Sequence, residues 1–302
     1  MSSIKIIRHT SVHELHAFIG LGKPRHPLIT IIDTAKLAYG EEYIGQRITS
    51  DLYCIALKDS ACGIDYGRNP YDFDEGVLIF TAPDQVITAT KAQALDEVQG
   101  WMLYFHPDLI RNTSLGGRIG DYTFFSYDVH EALHLSEQEQ ATVTHCVDLI
   151  ETEIRERIDS HSQQVLVSTI ELLLNYCTRY YERQFNTRVT HHRDMIAQVE
   201  FVLRDYFKSG KLLEFGTPYV QYLADQCHRS PTYLSDLLKK ETGRTAKTHI
   251  NDFLVDQAKH LLLTSEDSIS GIAYTLGFNY PHYFSRLFKR KTGMTPQQYR
   301  ET

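Results

Sequence analysis

The sequence predicts an α+β protein of two domains, with a β-rich N-terminal domain that ends in helices and an all-α C-terminal domain built on tandem helix-turn-helix units. Three observations lead to this fold class. Short runs of branched and aromatic residues between turn formers fill the chain to about residue 130, helical periodicity begins at residue 136, and the last third contains an internal repeat. We expect domains at 1–188, with strands to about 130 and helices over 136–185, and at 189–302.

The composition is that of an ordinary globular protein. Hydrophobic residues make up 42% and charged residues 23% of the 302 residues, and no apolar stretch is long enough to span a membrane. The five cysteines are scattered and form no CxxC pair, which argues against a disulfide framework and against a structural zinc site. Because the N-terminus also carries no secretory signal, we expect a cytoplasmic protein that needs no cofactor and does not bind membranes.

Charge is distributed unevenly along the chain. Residues 1–189 carry 16 basic and 26 acidic side chains, a net charge of −10, whereas residues 190–302 carry 15 basic and 12 acidic side chains, a net charge of +3. Basic residues cluster at Lys239-Lys240 and at Lys289-Arg290-Lys291. This asymmetry is typical of a nucleic-acid-binding domain attached to an acidic sensory or assembly domain.

Four runs in the first part of the chain have the composition of β-strands. They are rich in Ile, Val, Leu, Tyr and Phe, and turn formers such as Asn69-Pro70 separate them. Short strands with such turns favour a small barrel or sandwich. The runs are Leu28–Ile32, Asp51–Leu57, Val77–Thr81 and Gln99–Phe105.

Two amphipathic helices are predicted after the strands. Ser136 and Glu139 have the spacing of a capping box at the start of the first helix. The apolar stripes of these helices belong to the core or, in part, to a dimer interface. The stripes comprise Val143, Val147, Ile150, Ile154 and Ile158 in the first helix, and Leu166, Val167, Ile170, Leu173, Leu174, Cys177 and Tyr181 in the second. The polar segment Asn186–Arg193 is the candidate linker.

The last third of the chain contains one segment twice. A further amphipathic helix ends near Gly210, and beyond it Ser230–Thr245 (SPTYLSDLLKKETGRT) matches Tyr280–Thr295 (YPHYFSRLFKRKTGMT) at a constant offset of 50 positions. Self-similarity this dense indicates a duplicated structural unit. Each copy reads as a helix, a short turn and a second helix, over about 218–242 and about 268–292.

Capping residues mark the ends of these helices. In the first copy, Thr217-Pro218 and Ser230-Pro231 each offer an N-cap followed by proline at the first helical position. Gly243 and Gly293 are suited to end the second helix of each copy, and Gly277 is suited to a left-handed turn. The small residues Ala224 and Ala273 are expected where crossing helices approach closely. The predicted buried faces of the second helices are Tyr233, Leu234, Leu237 and Leu238, and Tyr283, Phe284, Leu287 and Phe288.

One helix is predicted to connect the two copies. Lys247–Thr264 places a broad apolar stripe on one face, and about 16 residues at ~1.5 Å each span roughly 24 Å. Together with the width of the units, such a rigid helix could hold two recognition helices about one duplex turn apart, ~34 Å. The chain could then enter two successive major grooves on one face of DNA.

The C-terminal residues match a known pattern. Ile272–Arg300 (IAYTLGFNYPHYFSRLFKRKTGMTPQQYR) contains Ile-Ala, then Gly-Phe, then Tyr-Phe-Ser-Arg-x-Phe-Lys, then Gly-x-x-Pro-x-x-Tyr-Arg. On this basis the segment from about Asp194 to Arg300 resembles the DNA-binding domain of the AraC/XylS transcription regulators. Phe73–Gln85 (FDEGVLIFTAPDQ) and the order of strands and helices are similar, more loosely, to the cupin-like sensory domain common in that family.

The resemblance implies which residues contact DNA. In the family the second helix of each unit lies in the major groove, with its N-terminal half on base edges and flanking basic residues on phosphates. Carried to this chain, the base-contact candidates are Thr232, Ser235, Asp236, His282, Ser285 and Arg286, and the phosphate candidates are Arg229, Lys239, Lys240, Lys289 and Arg290. Arg286 could grip guanine through two hydrogen bonds. Asp236 stands where the family often has a basic residue, and Leu254 where its linking helix often has Arg.

The sequence offers little support for two classes of enzyme or for a phosphate-binding loop. A metal-dependent cupin enzyme needs clustered ligands, but His9, His13, His16 and His26 precede the main strands and no His-x-His occurs. A DNA-repair methyl acceptor needs a clustered set of cysteines, which the chain lacks. Gly20–Pro24 does not have the residues of a phosphate loop.

The sequence therefore predicts a non-enzymatic, sequence-specific regulator of transcription that binds double-stranded DNA. The family resemblance implies activation through RNA polymerase, with a small-molecule effector in the N-terminal domain and a homodimer as further possibilities. The alternative is a cupin-type ligand-binding protein or metal-dependent enzyme with an accessory DNA-binding domain.

Overall fold

The chain divides into two compact units, Met1–Thr187 and Arg188–Thr302. The computed structural model describes residues 6–36, 47–58, 76–88, 100–127, 131–187 and 189–301. No helix of this described part is long and apolar enough to cross a membrane.

The first unit contains two β-sheets. The strands are β1 (Ile6–His9), β2 (Ile29–Asp33), β3 (Arg47–Ser50), β4 (Tyr53–Lys58), β5 (Gly76–Thr81), β6 (Ile87–Thr88), β7 (Gly100–Phe105) and β8 (Leu133–Leu135). Strands β2, β7, β4, β5 and β8 form an antiparallel five-stranded sheet in that order, and β1, β3 and β6 form a three-stranded sheet in which β1 runs parallel to β3. The four strand predictions are confirmed as β2, β4, β5 and β7.

Both faces of the five-stranded sheet are covered near its centre, since Cys54, Ile55, Ala56 and Leu57 of β4 are buried in succession. In β7, Trp101, Leu103 and Phe105 are buried, whereas the residues between them are half-buried. Pairing of Leu103 with Ile55 of β4 and with Ile31 of β2 fixes the register at the centre of the sheet. A β-rich first unit is therefore present as predicted.

Short helices and two long helices complete the first unit. They are α1 (Val12–Phe18), α2 (Pro107–Ile110), α3 (Ser114–Arg118), α4 (Glu137–Arg155) and α5 (Ser162–Thr187), with 3-10 turns at Thr34–Lys36, Ile119–Asp121 and Thr123–Ser126. Both hydrogen bonds of the predicted capping box between Ser136 and Glu139 are present. Arg183 of α5 donates to Glu139 of α4, with a shortest distance of 2.9 Å, and links the two helices.

The apolar stripes of α4 and α5 pack inside this unit. Every member of the predicted α5 stripe is buried, which leaves that stripe unable to form a dimer interface, because a buried face has no surface to offer a second copy. In α4, Val143, Val147 and Ile150 are buried as predicted. Ile158 is 61% exposed, because α4 ends at Arg155 and the stripe does not continue that far.

The second unit is all-helical. Its helices are α6 (Val189–Lys208), α7 (Lys211–Phe215), α8 (Val220–Gln226), α9 (Pro231–Thr242), α10 (Ala246–Thr264), α11 (Ile269–Thr275), α12 (Pro281–Thr292) and α13 (Pro296–Arg300). The boundary between the two units falls inside the candidate linker Asn186–Arg193, where α5 extends to Thr187 and α6 begins at Val189. A polar composition without apolar periodicity did not prevent helix formation there.

Candidate nucleic-acid interface

The first helix pair consists of α8, a short turn and α9. Helix α8 begins two residues later than Thr217-Pro218 predicts: Tyr219 is the N-cap residue and its side chain makes no capping bond. The backbone N–H of Thr217 instead donates to the carbonyl oxygen of Gly277 at 3.2 Å, so this segment makes a tertiary contact rather than opening a helix.

Helix α9 is delimited by the residues that the sequence indicates. The Oγ atom of Ser230 accepts a hydrogen bond from the N–H of Tyr233 at 3.2 Å, and Pro231 occupies the first helical position. Gly243 ends the helix with φ +72°, a left-handed conformation that favours glycine. The predicted buried face is confirmed, and it comprises Tyr233, Leu234, Leu237 and Leu238.

The second helix pair, α11 and α12, repeats this arrangement with differences. Ser268 caps α11 by accepting from the N–H of Gly271 at 2.9 Å, whereas Tyr280, the N-cap residue of α12, makes no side-chain capping bond. Gly277 has φ +79° in the turn and Gly293 has φ +81° at the end of α12. The predicted glycine roles are confirmed at both positions.

The turns of the two pairs use different residues for the same left-handed conformation. His228 follows the C-cap Cys227 with φ +52°, and Gly277 follows the C-cap Leu276 with φ +79°. His228 is exposed, so its side chain has space. A Cβ at Gly277 would lie 2.7 Å from the carbonyl carbon of Gly216, so only glycine fits there.

Tyr283 is the one member of the predicted buried faces that the structure places outside. It is 54% exposed, whereas its counterpart Tyr233 is 3% exposed. Helix α6 packs against both α8 and α9. It lies outside the repeated segment, so the repeat does not predict that it covers the first helix pair. The ring of Tyr283 instead contacts two other exposed rings, with centroid distances of 5.9 Å to Tyr280 and 4.3 Å to His282.

Helix α10 connects the pairs and shares a core with the second one. Its 19 residues span about 28 Å at ~1.5 Å each, slightly more than predicted. Leu254, at the position where Arg is frequent in the resembled family, is buried in this helix. Ala224 and Ala273 are fully buried, as expected for close helix crossings. The shared core comprises Val255, Ala258, Leu262, Ile272, Ala273, Leu276, Phe284, Leu287 and Phe288.

The predicted base-contact residues lie on the faces of α9 and α12 that the core leaves uncovered. In α12, His282 and Arg286 are exposed and Ser285 is half-buried. In α9, Thr232, Ser235 and Asp236 are all half-buried. The second pair therefore presents the more accessible surface, to which the exposed rings of Tyr280 and Tyr283 add an aromatic cluster that sequence reasoning missed.

The predicted phosphate-contact residues fall into two groups. The side chains of Lys239, Lys240, Lys289 and Arg290 are exposed and, within the described residues, form no ion pair. Arg229 is half-buried in the first turn, where its guanidinium lies 5.9 Å from the centre of the Tyr233 ring and donates to the carbonyl oxygen of His228 at 2.9 Å. Four exposed cations near the ends of α9 and α12 give this surface a local positive charge.

The described residues contain neither an activated cysteine nucleophile nor a cluster of metal ligands. Burial raises the pKa of the Cys54 thiol to about 12 and that of Cys227 to about 11, and it also raises the pKa of Cys146 and Cys177. A thiol that stays protonated at neutral pH is a poor nucleophile. Among the described residues, no group of three or more His, Cys, Asp or Glu side chains could hold a metal ion. Cys62 and most of Phe73–Gly76 lie outside those residues.

Comparison with known proteins identifies similar C-terminal regions. A family described as a helix-turn-helix domain matches residues 223–302. Over 83 residues, the chain is 34% identical to an uncharacterized HTH-type transcriptional regulator, YobQ, of Bacillus subtilis, covering 28% of this chain and 34% of that protein. The bifunctional transcriptional activator and DNA repair enzyme AdaA of Bacillus subtilis is 38% identical over 82 residues, covering 27% of this chain and 39% of AdaA.

A third relative is the HTH-type transcriptional activator RhaR of Yersinia pseudotuberculosis, which is 38% identical over 82 residues, covering 26% of this chain and 28% of RhaR. The chain thus spans about a third of the length of these curated relatives. The family match lies in the region that contains the repeated helix pairs and, together with the similarity to RhaR, confirms the predicted family resemblance for that region.

Proposed function

We propose that this chain, whose C-terminal region is an AraC-type helix-turn-helix domain, is a transcription regulator that binds duplex DNA through two recognition helices, α9 and α12. The observation that carries the proposal is the repeated helix pair: each second helix starts at a proline, ends at a left-handed glycine and packs one face on its partner helix. In this proposal residues 189–302 bind DNA, and α9 and α12 enter successive major grooves.

The exposed faces of α9 and α12 carry groups suited to reading base edges. Arg286 can donate two hydrogen bonds to guanine, and Asp236 can accept from cytosine. His282, Ser285, Thr232 and Ser235 offer further hydrogen-bonding groups. We add Tyr283, because its exposed ring on the recognition face suits apolar contact with a thymine methyl group.

The exposed cations suit the phosphate backbone. Lys239, Lys240, Lys289 and Arg290 lie toward the ends of α9 and α12, where they are free to neutralise phosphates on either side of a groove. Arg229 contributes a fifth positive charge from the turn of the first pair. Contacts of this kind set affinity and its salt dependence without selecting a sequence.

The proposal is tested by binding-site selection with the full chain, followed by two variants of α12. Arg286→Ala should cost about 1–3 kcal/mol on the selected site and relax the preference at one base position. Lys289→Ala should instead weaken binding to all sequences about equally and reduce the salt slope by about one. Each variant is the control for the other, since both remove one exposed cation from the same helix.

Two outcomes would count against these assignments. If the full chain enriches no sequence at moderate salt, the proposed function is wrong. If Arg286→Ala returns the same base preferences as the unaltered chain, Arg286 does not read a base.

The N-terminal region is proposed to regulate the DNA-binding region. We assign residues 1–188 a cupin-like fold on the basis of two sheets followed by two long helices. A small-molecule effector, a homodimer and activation through RNA polymerase belong to the same proposal, together with a cytoplasmic location. Limited proteolysis of the full chain with candidate small molecules would detect an effector as protection confined to this region.

A further inference from the structure

One carboxylate of α10 contacts both helix pairs. Oδ2 of Asp252 accepts a hydrogen bond from Nη1 of Arg244 at 3.1 Å, and Oδ1 of Asp252 lies 2.7 Å from Nζ of Lys291. Arg244 lies in the turn that directly follows α9, and Lys291 lies in the last turn of α12. Each oxygen of Asp252 therefore serves a different helix pair.

The contact between Asp252 and Lys291 is better shielded than the other ion pairs among the described residues of this unit, whereas Arg244, the second partner of Asp252, is 52% exposed. The side chains of Asp252 and Lys291 are 25% and 29% exposed, whereas the pair between Asp256 and Lys259, also on α10, is 67% and 38% exposed. An exposed pair within one helix contributes little to stability. A partly shielded carboxylate with two partners on different elements restricts how those elements can rotate.

The remaining contacts of α10 are less directional. Val255, Ala258 and Leu262 pack with α11 and α12 in an apolar core, and apolar contacts are non-directional, unlike hydrogen bonds to a charged group. Thr242 at the end of α9 bonds Nε2 of His249 at 2.8 Å, and this contact involves the first pair alone. Asp252 links the turn between α9 and α10 to the last turn of α12.

We propose that Asp252 is a positioning residue that fixes the rotation of α9 relative to α12, and thereby the spacing of the two DNA segments that the chain accepts. This inference rests on the proposed function. Because B-DNA repeats about every 10.5 base pairs, adding or removing one base pair rotates one segment by about 34° relative to the other. A firmly held pair of recognition helices rejects that rotation, and a loosened pair tolerates it.

The same geometry assigns Lys291 a different role from its neighbours. All three residues are exposed, but the ammonium group of Lys291 is held by Asp252, whereas Lys289 and Arg290 form no ion pair within the described residues. Lys291 therefore acts through Asp252 on helix position rather than as a phosphate contact. Its replacement should alter spacing discrimination and leave the salt slope of DNA binding unchanged.

The test measures the affinity of the full chain for its selected duplex and for duplexes with one base pair added or removed between the two contacted segments. Asp252→Asn should reduce the discrimination against altered spacing about threefold or more. Asp256→Asn is the matched control, since it removes the same charge from the same helix without touching either pair. Lys291→Gln should reproduce the effect of Asp252→Asn, with Lys289→Gln as its control for salt slope.

Each outcome decides a different question. Equal spacing discrimination in Asp252→Asn, Lys291→Gln and Asp256→Asn overturns the inference while leaving sequence-specific binding intact. A reduced salt slope in Lys291→Gln without loss of spacing discrimination also overturns it, since Lys291 is then a phosphate contact. If the circular dichroism spectrum shows that Asp252→Asn does not fold, the spacing discrimination of Lys291→Gln alone tests the inference. Failure of the unaltered chain to enrich any duplex refutes the proposed function instead.

Discussion

Replacing Gly277 by alanine should destabilise the second unit far more than the same change at an open glycine. A Cβ at Gly277 would lie 2.7 Å from the carbonyl carbon of Gly216 and 2.8 Å from both the carbonyl oxygen of Leu212 and the nitrogen of Thr217. All three are backbone atoms, so no side-chain rotation relieves the contact. The left-handed φ of +79° adds a conformational penalty for any residue with a Cβ.

The expected cost follows from these two terms. The left-handed conformation costs about 1–2 kcal/mol for a non-glycine residue. Forcing backbone apart in a packed region costs about a further 1–3 kcal/mol. Gly277→Ala should therefore lose about 2–5 kcal/mol of unfolding free energy. Gly293→Ala is the control, since Gly293 has φ +81° with no atom within 4 Å of its Cβ position, and it should lose only about 1–2 kcal/mol.

Urea unfolding of the full chain separates the two units. Far-ultraviolet circular dichroism reports the helices of both units, including α4 and α5 of the first, whereas the fluorescence of Trp101, the single tryptophan of the chain, reports the first unit from within β7. In Gly277→Ala, the part of the circular dichroism change that does not coincide with the fluorescence change should move to a lower urea concentration than in Gly293→Ala, and the fluorescence transition should stay in place. Equal losses in the two variants would refute the close approach of this turn to Gly216.

Two further changes test local features of the second unit. Ser230→Ala removes the buried Oγ that accepts from the N–H of Tyr233, and it should lower the unfolding free energy in urea by about 1 kcal/mol. Ser270→Ala, at an exposed position of α11, is the control and should lower the unfolding free energy much less. Similar losses in the two variants would exclude a capping role for Ser230. Burial, with the nearby charge of Arg244, lowers the pKa of His249 in the folded chain, so the unfolded chain binds more protons as pH falls below about 6.5 and the second unit loses stability there. His249→Gln should flatten the fall of the urea midpoint between neutral and mildly acidic pH, and an unchanged slope would contradict this assignment.

The sequence predicted elements whose signals lie within one segment. The strands β2, β4, β5 and β7 are each five or six residues long and rich in branched or aromatic side chains. The strands β1, β3, β6 and β8 were missed, because two to four residues carry no readable periodicity. Strand β6, for example, consists of Ile87–Thr88 and exists through its pairing with Arg47 and Ile48, residues distant in the chain.

In the candidate site, too, features set by residues close in sequence were predictable, whereas features set by distant residues were not. Ser230, Gly243, Gly277 and Gly293 were predicted correctly, because capping depends on backbone geometry close in sequence. The exposure of Tyr283 was predicted wrongly, because it depends on which helix covers the pair. The two copies of the repeat have similar residues at equivalent positions, but different helices pack around them.

The ion pairs of Asp252 show a further limit of sequence reading. The run Lys289-Arg290-Lys291 is uniformly basic in the sequence, yet the structure pairs Lys291 with a carboxylate 39 positions earlier, whereas its two neighbours form no ion pair within the described residues. Charge patterning identifies which side chains can form ion pairs. Only the packing of α12 against α10 determines which of the three does so.

Two contacts of different chemistry connect the second helix pair to segments next to the first pair. Gly277 holds the turn of the second pair against Thr217 through backbone atoms, and Asp252 joins Arg244 to Lys291 through charge. Salt screens the charged contact and leaves the backbone contact unaffected. If both contacts fix the relative position of α9 and α12, raising the salt concentration removes only the share of spacing discrimination that Asp252 supplies. The spacing discrimination of the unaltered chain at high salt should therefore approach that of Asp252→Asn and should not vanish.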